Sequence, residues 1–492
     1  MASAHPSDPT GPTGKLCTWI NTIRLDSIPS PVLERAKFLI LDGLACALVG
    51  AHLPWSEIAT KTVMEMEGTG HCTVIGWDKK LHPLSAALLN STFLQGFELD
   101  DYHQDAPLHS NSIILPALLA VAEQTRSQNK DKTKEAAFTG AEFVLATIVG
   151  YEVGPRVGMA LYGLDMLTRG WHSGAVFGPS ASAAAVSKLL HLPSNEIEDA
   201  LGMACTQAGG LMSAQFESMV KRMQHGFAAR NGLFAALLAK GGYKGIKRVY
   251  EREYGGFLSC FGQGSGKEPE YVVDEVAKGL GSFWQCERIV VKPYSSLAFT
   301  HATVDCVRGL QEKFPEHFKD RGNLRKIRKI TVEQAGPTFK HGGWKAERPL
   351  EVIGAQMNCA YVAATQFVDG QVLPAQFATN KLDRNEIWEL VGKIECVENP
   401  AFNEEGKSYR QRMIVEFLDA RERVEMTVNA PRGVDPALTN EEVLEKWRGL
   451  TADCIEMKRR DKIERMVMGI EGLEDIGLLA NLLLGETKSP IE

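Results

Sequence analysis

The first part of the chain repeats one pattern: apolar residues recur every three or four positions, and small residues fill many of the places between them. This spacing is typical of helices that bury one face. One helix is predicted to begin at Ser30-Pro31, where a capping hydroxyl, a proline in the first turn and the acid Glu34 stand together. Thr139 and Glu142 form a capping box that predicts another helix start. Further buried helices are predicted over Leu84–Phe97, Leu115–Gln124, Gly174–Leu190, Ile197–Leu211 and Met219–Lys240.

The pattern changes after about Phe283, where alternating and β-branched segments appear, as expected of strands. Arg412–Phe417 and Val424–Val428, joined by a polar turn, are predicted to form a hairpin. The other elements predicted from here on are the strands Glu287–Lys292 and Ile327–Gln334 and the helices within Gly354–Val368 and Glu441–Leu484.

These patterns predict a mostly α fold with two domains. A large all-helical domain is expected to use residues 15–284 and, after an interruption, residues 433–492. A smaller α+β domain is expected over residues 285–432 between them. Residues 1–14 are polar and rich in proline and glycine, so we expect them to form a flexible tail rather than a signal peptide.

Composition narrows the class of protein. With 492 residues, 44% of them hydrophobic and 23% charged, the chain is expected to be globular and to have more than one core. A net charge of −7 gives no electrostatic reason to expect a nucleic acid partner. No apolar run approaches the roughly 18 residues of a membrane-spanning helix. The ten cysteines are scattered singly without a CxxC pair, which argues against a zinc site or a disulfide framework and favours the cytoplasm.

Polar groups that a helical core would not need are concentrated in Glu98–Ser112, ELDDYHQDAPLHSNS. By residue type, these acids and histidines are suited to bind a metal, to exchange protons or to form a hydrated turn. The spacing contains no HExxH or regular carboxylate–histidine pattern, so we expect no metal site here. The candidates within the stretch are Asp100, Asp101, His103, Asp105 and His109.

Three other segments carry similar groups. His172 lies in a glycine-flanked turn, and Lys221 and His225 are four residues apart, which places them on one helical face. The other candidates are Arg222, Lys292, Tyr294 and His301. Each has a structural alternative, because a single histidine is more often a core residue than a catalyst, and acids often cap helices.

Five segments together resemble the MmgE/PrpD family: ELDDYHQDAPLHS, GWHSGAVFG, CTQAGGLMSAQFESMVKRMQHGFAARNG, EREYGGFL and LGSFW. The likeness runs from about Leu16 to the C-terminus and is closest to the fungal cis-aconitate decarboxylases of that family. Its most specific part is the helix that contains Lys221–Asn231. The resemblance implies a helical domain closed by a smaller lid domain, and a homodimer.

The resemblance also assigns roles to residues. The family's catalytic positions fall on His109, His172 and Lys221, with Glu98 and Asp101 as the accompanying acids. A histidine of the animal decarboxylases is replaced near Leu297, and a tyrosine of their lid is replaced near Phe339. The residues expected to bind substrate are His103, Arg222, His225, Lys292, Tyr294 and His301.

The implied activity is a cofactor-free decarboxylation of cis-aconitate, or of an alkyl-substituted aconitate, to an itaconate-type methylene diacid and CO2. A tricarboxylate needs cations, which Lys221, Arg222 and protonated histidines would supply. His109 or His172 is the expected proton donor, oriented by Glu98 or Asp101. Leu297-Ala298-Phe299 is expected to leave room for an alkyl chain.

Two alternatives stand beside this activity. A dehydratase of 2-methylcitrate or an alkylcitrate would use the same acids, histidines and cations. A non-catalytic helical scaffold would keep the fold without the chemistry.

Overall fold

The computed structural model describes residues 4–128, 137–403, 409–419 and 422–491. Most of the described residues before position 290 and after position 438 are helical. The helices of this body are α1 (Pro12–Thr22), α2 (Ser30–Gly50), α3 (Pro54–Met66), α4 (Pro83–Leu94), α5 (Ser110–Gln128), α6 (Gly140–Ala160), α7 (Leu164–Thr168), α8 (Ser173–Leu189), α9 (Ser194–Cys205), α10 (Val220–Lys240) and α11 (Phe257–Gly262). The region between them and the C-terminal helices has α12 (His301–Lys313), α13 (Pro315–Phe318), α14 (Gly336–Gly342), α15 (Val352–Met357), α16 (Cys359–Asp369), α17 (Thr379–Leu382) and α18 (Asn385–Val391). The chain ends in α19 (Asn440–Thr451), α20 (Met457–Met468) and α21 (Gly477–Leu483).

The strands fall into three sheets in the described part of the chain. They are β1 (Cys72–Thr73), β2 (Lys80–Leu81), β3 (Tyr102–His103), β4 (Ile289–Val290), β5 (Ile327–Gln334), β6 (Ile394–Glu398), β7 (Gln411–Phe417) and β8 (Arg423–Val428). The largest sheet has the order β6-β5-β7-β8, with β6 parallel to β5 and the other neighbours antiparallel. The predicted hairpin is confirmed, because β7 pairs with β8 in antiparallel register.

Two hydrophobic cores organise these elements. One unites the body helices and includes apolar residues of α19, α20 and α21, among them Trp447, Ile463 and Leu479. The other lies between the four-stranded sheet and its helices. The predicted fold class, mostly α with a smaller α+β region, is confirmed. We call the region of the second core, residues 294–428, the lid.

Glycines allow α8 and α10 to cross closely in the body. A Cβ atom on Gly174 would lie 2.2 Å from Nε2 of His225, and one on Gly232 would lie 2.4 Å from Cβ of Ser182. These contacts are too short for any side chain at positions 174 and 232, so the small-residue run of α8 sets how near the two helices come.

The structure differs from the sequence predictions at several boundaries. The helix predicted over Gly354–Val368 is divided at Asn358, whose side-chain oxygen accepts a hydrogen bond from the Tyr361 amide at 2.9 Å and starts a new helix. The helix predicted to reach Leu211 ends at Cys205.

Residues 4–14 also differ from the expected flexible tail. Ser7 hydrogen bonds to the Glu198 carboxylate, with its amide 2.9 Å from Oε2, and α1 already begins at Pro12. Residues 1–3 of that predicted tail lie outside the described residues.

None of the described helices alone is long and apolar enough to cross a membrane. Among them, only the bent pair Ser30–Gly50 and Pro54–Met66, whose axes lie at 81°, reaches the necessary length and apolar composition when the two are taken together.

Candidate active site

A cavity of about 60 Å³ lies between the body and the lid. One part of its wall is charged or polar and the other is apolar. The body contributes Glu98, Tyr102, Pro107, His109, Leu164, Leu167, His172, Ser173, Met212 and Lys221, and the later part of the chain contributes Lys292, Leu297, Ala298, Phe299, Met357 and Tyr409.

Glu98 is the centre of the charged wall. It is only 1% exposed, and its carboxylate contacts three cations. Oε1 accepts hydrogen bonds from Lys221 and, at 2.7 Å, from Nη1 of Arg222, and Oε2 accepts one from Lys292 at 2.9 Å. Burial alone would raise the pKa of Glu98, but the three cations hold that pKa well below its usual value. Glu98 is therefore ionised, and three cations against one carboxylate leave two positive charges at this wall.

Short-range structure explains how these distant residues meet. Lys221 and Arg222 lie in the first turn of α10. Lys292 follows β4, and β4 pairs with β3 through Val290 and Tyr102. Tyr102 lies four residues after Glu98. The two-residue ladder thus brings the chain segment that leads into the lid alongside the segment that begins at Glu98.

The backbone at Glu98 has a φ of +55°, in the left-handed region that a non-glycine residue adopts only under constraint. Such a conformation costs of order 1 kcal/mol or more, and it persists where the surroundings fix it. Here the carboxylate is held by the cations and by the Gln95 amide, whose Nε2 donates to Oε1 at 2.7 Å.

The pKa of Lys221 departs clearly from its usual value. Burial lowers its pKa, and the nearby Glu98 carboxylate opposes that effect, leaving the pKa at about 8. Lys221 is therefore charged at neutral pH and becomes neutral as the pH rises above about 8.

His109 is paired with an acid. Its Nδ1 lies 3.0 Å from both carboxylate oxygens of Asp100, a residue with no exposed surface. Nδ1–H therefore donates to Asp100, and Nε2 is the nitrogen that remains for proton exchange at the cavity. Such a pair serves equally as a general acid or a general base.

His172 has a different environment. It is the N-cap of α8, and its Nδ1 accepts a hydrogen bond from the Ala175 amide at 3.4 Å. Burial, and then the nearby Lys221 charge, lower the pKa of His172 to about 3. The ring is thus neutral with its proton on Nε2, so it can donate a hydrogen bond to a bound anion but is a poor proton donor.

His225 lies behind these two histidines rather than in the cavity wall. Its ring centroid is 4.6 Å from that of His109 and 4.8 Å from that of His172. It has no exposed surface, and burial lowers its pKa well below the usual value. The neutral His225 ring therefore acts as a spacer that fixes the other two.

Asp101 differs from the predicted role of orienting a histidine. Its carboxylate accepts hydrogen bonds from the Ser110 amide at 2.9 Å and the Asn111 amide at 3.1 Å, and so caps α5. Asp100, the preceding residue, contacts His109 instead. Burial and the neighbouring Asp100 and Asp42 carboxylates raise the pKa of Asp101 well above its usual value.

Four predicted substrate-binding residues also do not reach the cavity. His103 is occupied by Gln285 Oε1, 3.0 Å from its Nε2, and by backbone amides at Nδ1. The Tyr294 hydroxyl donates to Asp305 at 2.5 Å, and Nε2 of His301 donates to the Ser296 carbonyl at 3.2 Å. Arg222 acts through Glu98 and through Gln356, which accepts from its Nη2 at 2.7 Å.

Several wall residues were missed by the sequence reasoning. Tyr409 and Met357 approach from the lid, and Tyr102 and Met212 approach from the body. None of these four stands in a pattern that separates it from an ordinary core residue. Leu297, Ala298 and Phe299, expected to give room for an alkyl chain, do line the cavity.

Within residues 4–128, 137–403, 409–419 and 422–491, no three or more histidine, cysteine or acidic side chains are arranged to hold a metal ion.

Comparison with known proteins confirms the predicted family. Residues 14–270 match the MmgE/PrpD N-terminal domain, and residues 294–471 match the MmgE/PrpD C-terminal domain. A cis-aconitate decarboxylase-like protein of Aspergillus oryzae is 49% identical over 96% of this chain and 97% of its own. A cis-aconitate decarboxylase of Aspergillus terreus is 46% identical over 99% of both chains. A mitochondrial 2-methylcitrate dehydratase of Yarrowia lipolytica is 25% identical over 85% of this chain and 79% of its own.

The capping role of Asp101 on α5 can be tested by two substitutions. Replacing Asp101 by alanine removes the cap of α5, so we expect the free energy of unfolding to fall by about 1–2 kcal/mol. Asp101→Asn keeps one capping oxygen and should retain most of that stability. Urea unfolding of both variants measures the difference, and an equal loss in both would show that the cap is not the role of Asp101.

Proposed function

We propose that this chain, which belongs to the MmgE/PrpD family, is a decarboxylase that converts cis-aconitate, or an aconitate with an alkyl substituent, to a methylene diacid of the itaconate type and CO2 without a cofactor. The observation that carries the proposal is the cationic wall beside the His109–Asp100 pair. The identities of 46% and 49% to decarboxylase and decarboxylase-like relatives, over nearly full chains, support the same activity.

The charge of the wall suits a tricarboxylate. Lys221 and Lys292 line the cavity, and their shared partner Glu98 neutralises only part of their charge and that of Arg222. An entering trianion supplies the remaining counter-charge at low dielectric, where such interactions are stronger than in water.

The reaction needs a place for electrons and one proton. The carboxylate on the methylene carbon leaves as CO2, and its bonding electrons form a new double bond to the central carbon. The original double bond shifts its electrons to the far carbon, whose own carboxylate spreads the developing charge. Lys221 and Lys292 stabilise that charge, because it develops where preorganised cations already stand. A proton delivered to the far carbon completes the methylene diacid.

His109 is the proposed donor of that proton. Asp100 accepts the hydrogen bond of Nδ1 and leaves Nε2 to deliver the proton. His172, neutral through its pKa of about 3 and its cap to Ala175, instead donates a hydrogen bond to a substrate carboxylate.

The apolar wall supports the remaining part of the proposal. Leu167, Met212, Leu297 and Phe299 line the same cavity as the charged groups. An apolar surface destabilises a carboxylate relative to uncharged CO2, and it also accepts an alkyl substituent.

A dehydratase acting on 2-methylcitrate or an alkylcitrate is the second candidate. The His109–Asp100 pair favours it to the extent that such a pair also abstracts a proton beside a carboxylate. The likeness to the Yarrowia dehydratase supports it at 25% identity.

A reducing compartment, which we take to be the cytosol, fits the cysteines. All ten are free thiols, and most are buried.

The proposed homodimer has a suitable surface along α10. Val220, Phe227 and Phe234 repeat every seven residues and so share one helical face, where Val220 is 43% and Phe234 41% exposed. Leu211, at 62% exposure, borders the groove that Val220 and Phe227 also line. An apolar stripe of this kind is typical of a protein contact, and we assign it to a second copy of the chain.

The activity is tested by incubating the protein with cis-aconitate, citrate and 2-methylcitrate in the presence of a strong chelator. We expect CO2 and a methylene diacid from cis-aconitate. Formation of an unsaturated acid from citrate or methylcitrate, without CO2, would instead identify a dehydratase.

Two histidines of one stretch provide the matched variants for this assay. His109→Asn removes the proposed proton donor and should lower kcat by about 10²–10⁴-fold. His103→Asn changes a histidine that is more deeply buried than His109, whose side chain is 15% exposed, and that lies outside the cavity, so it should lower kcat only a few-fold if the fold is retained. The reverse order would contradict the assignment of His109.

Lys221 predicts a pH dependence. Its pKa of about 8 means that the charged form, which binds the anion, is lost as the pH rises through that value. We therefore expect KM for cis-aconitate to increase between pH 7 and 9. Lys221→Arg stays charged over this range, so its KM should lack the increase even if kcat is reduced. A rise in KM of the same size in both proteins would exclude Lys221 as its source.

The dimer is tested by light scattering coupled to size-exclusion chromatography. Phe234→Glu places a charge in the apolar stripe and should shift the mass from about 108 kDa, twice the 54.0 kDa of one chain, towards the monomer. Met66→Glu, at a residue that is 79% exposed away from α10, is the control and should leave the mass unchanged. A wild-type protein of 54.0 kDa would refute the dimer.

A further inference from the structure

Lys446 of α19, in the C-terminal part of the chain, contacts the segment Glu98–Asp100 that carries the acids of the site. Its side chain is only 11% exposed. The ammonium group donates a hydrogen bond to the Leu99 carbonyl at 2.6 Å and pairs with Oδ1 of Asp42 at 2.7 Å. Leu99 stands between Glu98, which holds the cations, and Asp100, which holds His109.

We infer that Lys446 is a positioning residue: by fixing the Leu99 carbonyl and by its charge, it keeps the ionised Asp100 side chain against His109. The inference rests on the proposed decarboxylation, in which His109 delivers the proton. No contact of Lys446 with the cavity is required, because its effect passes through the backbone at Leu99.

Glu98 adopts the strained φ of +55°, and the turn that it begins continues into the Leu99–Asp100 peptide, which keeps its orientation only if its own polar groups are held. The Leu99 carbonyl is held by Lys446. Without this donor, a carbonyl in a buried position would lose its hydrogen bond, at a cost of about 1–3 kcal/mol, unless the peptide turned. Turning that peptide would move the Asp100 side chain away from Nδ1 of His109.

Asp42 and Asp101 are buried near Asp100. Burial raises the pKa of Asp42 and of Asp101, and the Asp100 carboxylate raises both further. The Asp42 and Asp100 carboxylates in turn raise the pKa of Lys446 against the effect of its burial, so Lys446 stays charged among them. The Lys446 ammonium group therefore attracts the Asp100 carboxylate. The titratable or charged groups around Asp100 and His109 are Asp42, Cys46, Glu98, Asp101, His172, Lys221, Arg222, His225, Lys292 and Lys446.

Lys446 could instead serve only to neutralise Asp42, and the test separates the two roles. Lys446→Met alone leaves the Asp42 charge buried without a partner, which is strongly destabilising. The comparison is therefore made between Asp42→Asn and the double variant Asp42→Asn/Lys446→Met. The first keeps Lys446 on the Leu99 carbonyl, and the second removes both charges and preserves packing. Thermal unfolding checks that both variants are folded.

The expected result is a loss of kcat that requires Lys446. Asp42→Asn should keep kcat for cis-aconitate close to that of the wild type. The double variant should lose about 10-fold or more in kcat with little change in KM, because the cations that bind substrate are untouched. Removing a cation beside the pair also strengthens its hold on the proton, so the alkaline limb of kcat should move to higher pH than in Asp42→Asn.

The inference is overturned if the double variant keeps the kcat and pH profile of Asp42→Asn, or if Asp42→Asn alone is as impaired as the double variant. Lys446→Arg gives a further check, since it keeps the charge and a donor. The alkaline limb of its kcat–pH profile should stay near the wild-type position. A limb shifted as in the double variant would contradict a role for the charge of Lys446.

Calorimetry distinguishes failure of this inference from failure of the proposed function. A wild-type protein that binds cis-aconitate but releases no CO2 would refute the function alone. Proton uptake on binding, obtained from heats in two buffers, still reports on the pair. At alkaline pH it should be smaller in the double variant than in Asp42→Asn, and equal uptake would overturn the role of Lys446.

Discussion

A buried carboxylate surrounded by three buried cations is the constraint on which the rest of the site depends. The cations cannot stay ionised at 5% side-chain exposure or less without a counter-charge, and Glu98 supplies one. One carboxylate neutralises only part of the positive charge of the three cations. The buried charges are therefore compensated enough for the protein to fold, and the remaining positive charge still attracts an anion. A fully matched ion pair would have no such remaining charge.

The helical architecture and the family were accessible from the sequence, because amphipathic periodicity, capping boxes and small-residue runs are local properties. Thr139 and Glu142 do form their capping box, and the Ala- and Gly-rich segment does become α8. Boundaries failed where one side chain overrode the periodic pattern. Asn358 divides a continuous apolar stretch because its side-chain oxygen accepts a hydrogen bond from the Tyr361 amide and so starts a new helix.

The site was accessible only in part. Five of the predicted site residues line the cavity: Glu98, His109, His172, Lys221 and Lys292. The sequence did not show which of the predicted residues would line the cavity and which would only support it. Asp100 and Asp101 are chemically identical neighbours, and only the turn after Glu98 decides which one faces His109 and which one caps α5. The protonation state of His172 could not be predicted from the sequence either, because it depends on the Ala175 amide in the following turn and on burial of the ring. Tyr409 and Met357 come from distant parts of the chain, and their approach is a property of how the lid packs.

The position of Lys292 limits how the protein can be recombined. Lys292 lies just beyond β4, at the junction where the body leads into the lid, while its partner Glu98 belongs to the body. A chimera joined to a relative at residue 291 would therefore inherit the acid from one parent and one of its cations from the other. Exchange of the segment that starts at residue 292 conserves the charge balance only when both parents carry a lysine at that position, so the functional unit extends across the junction between body and lid.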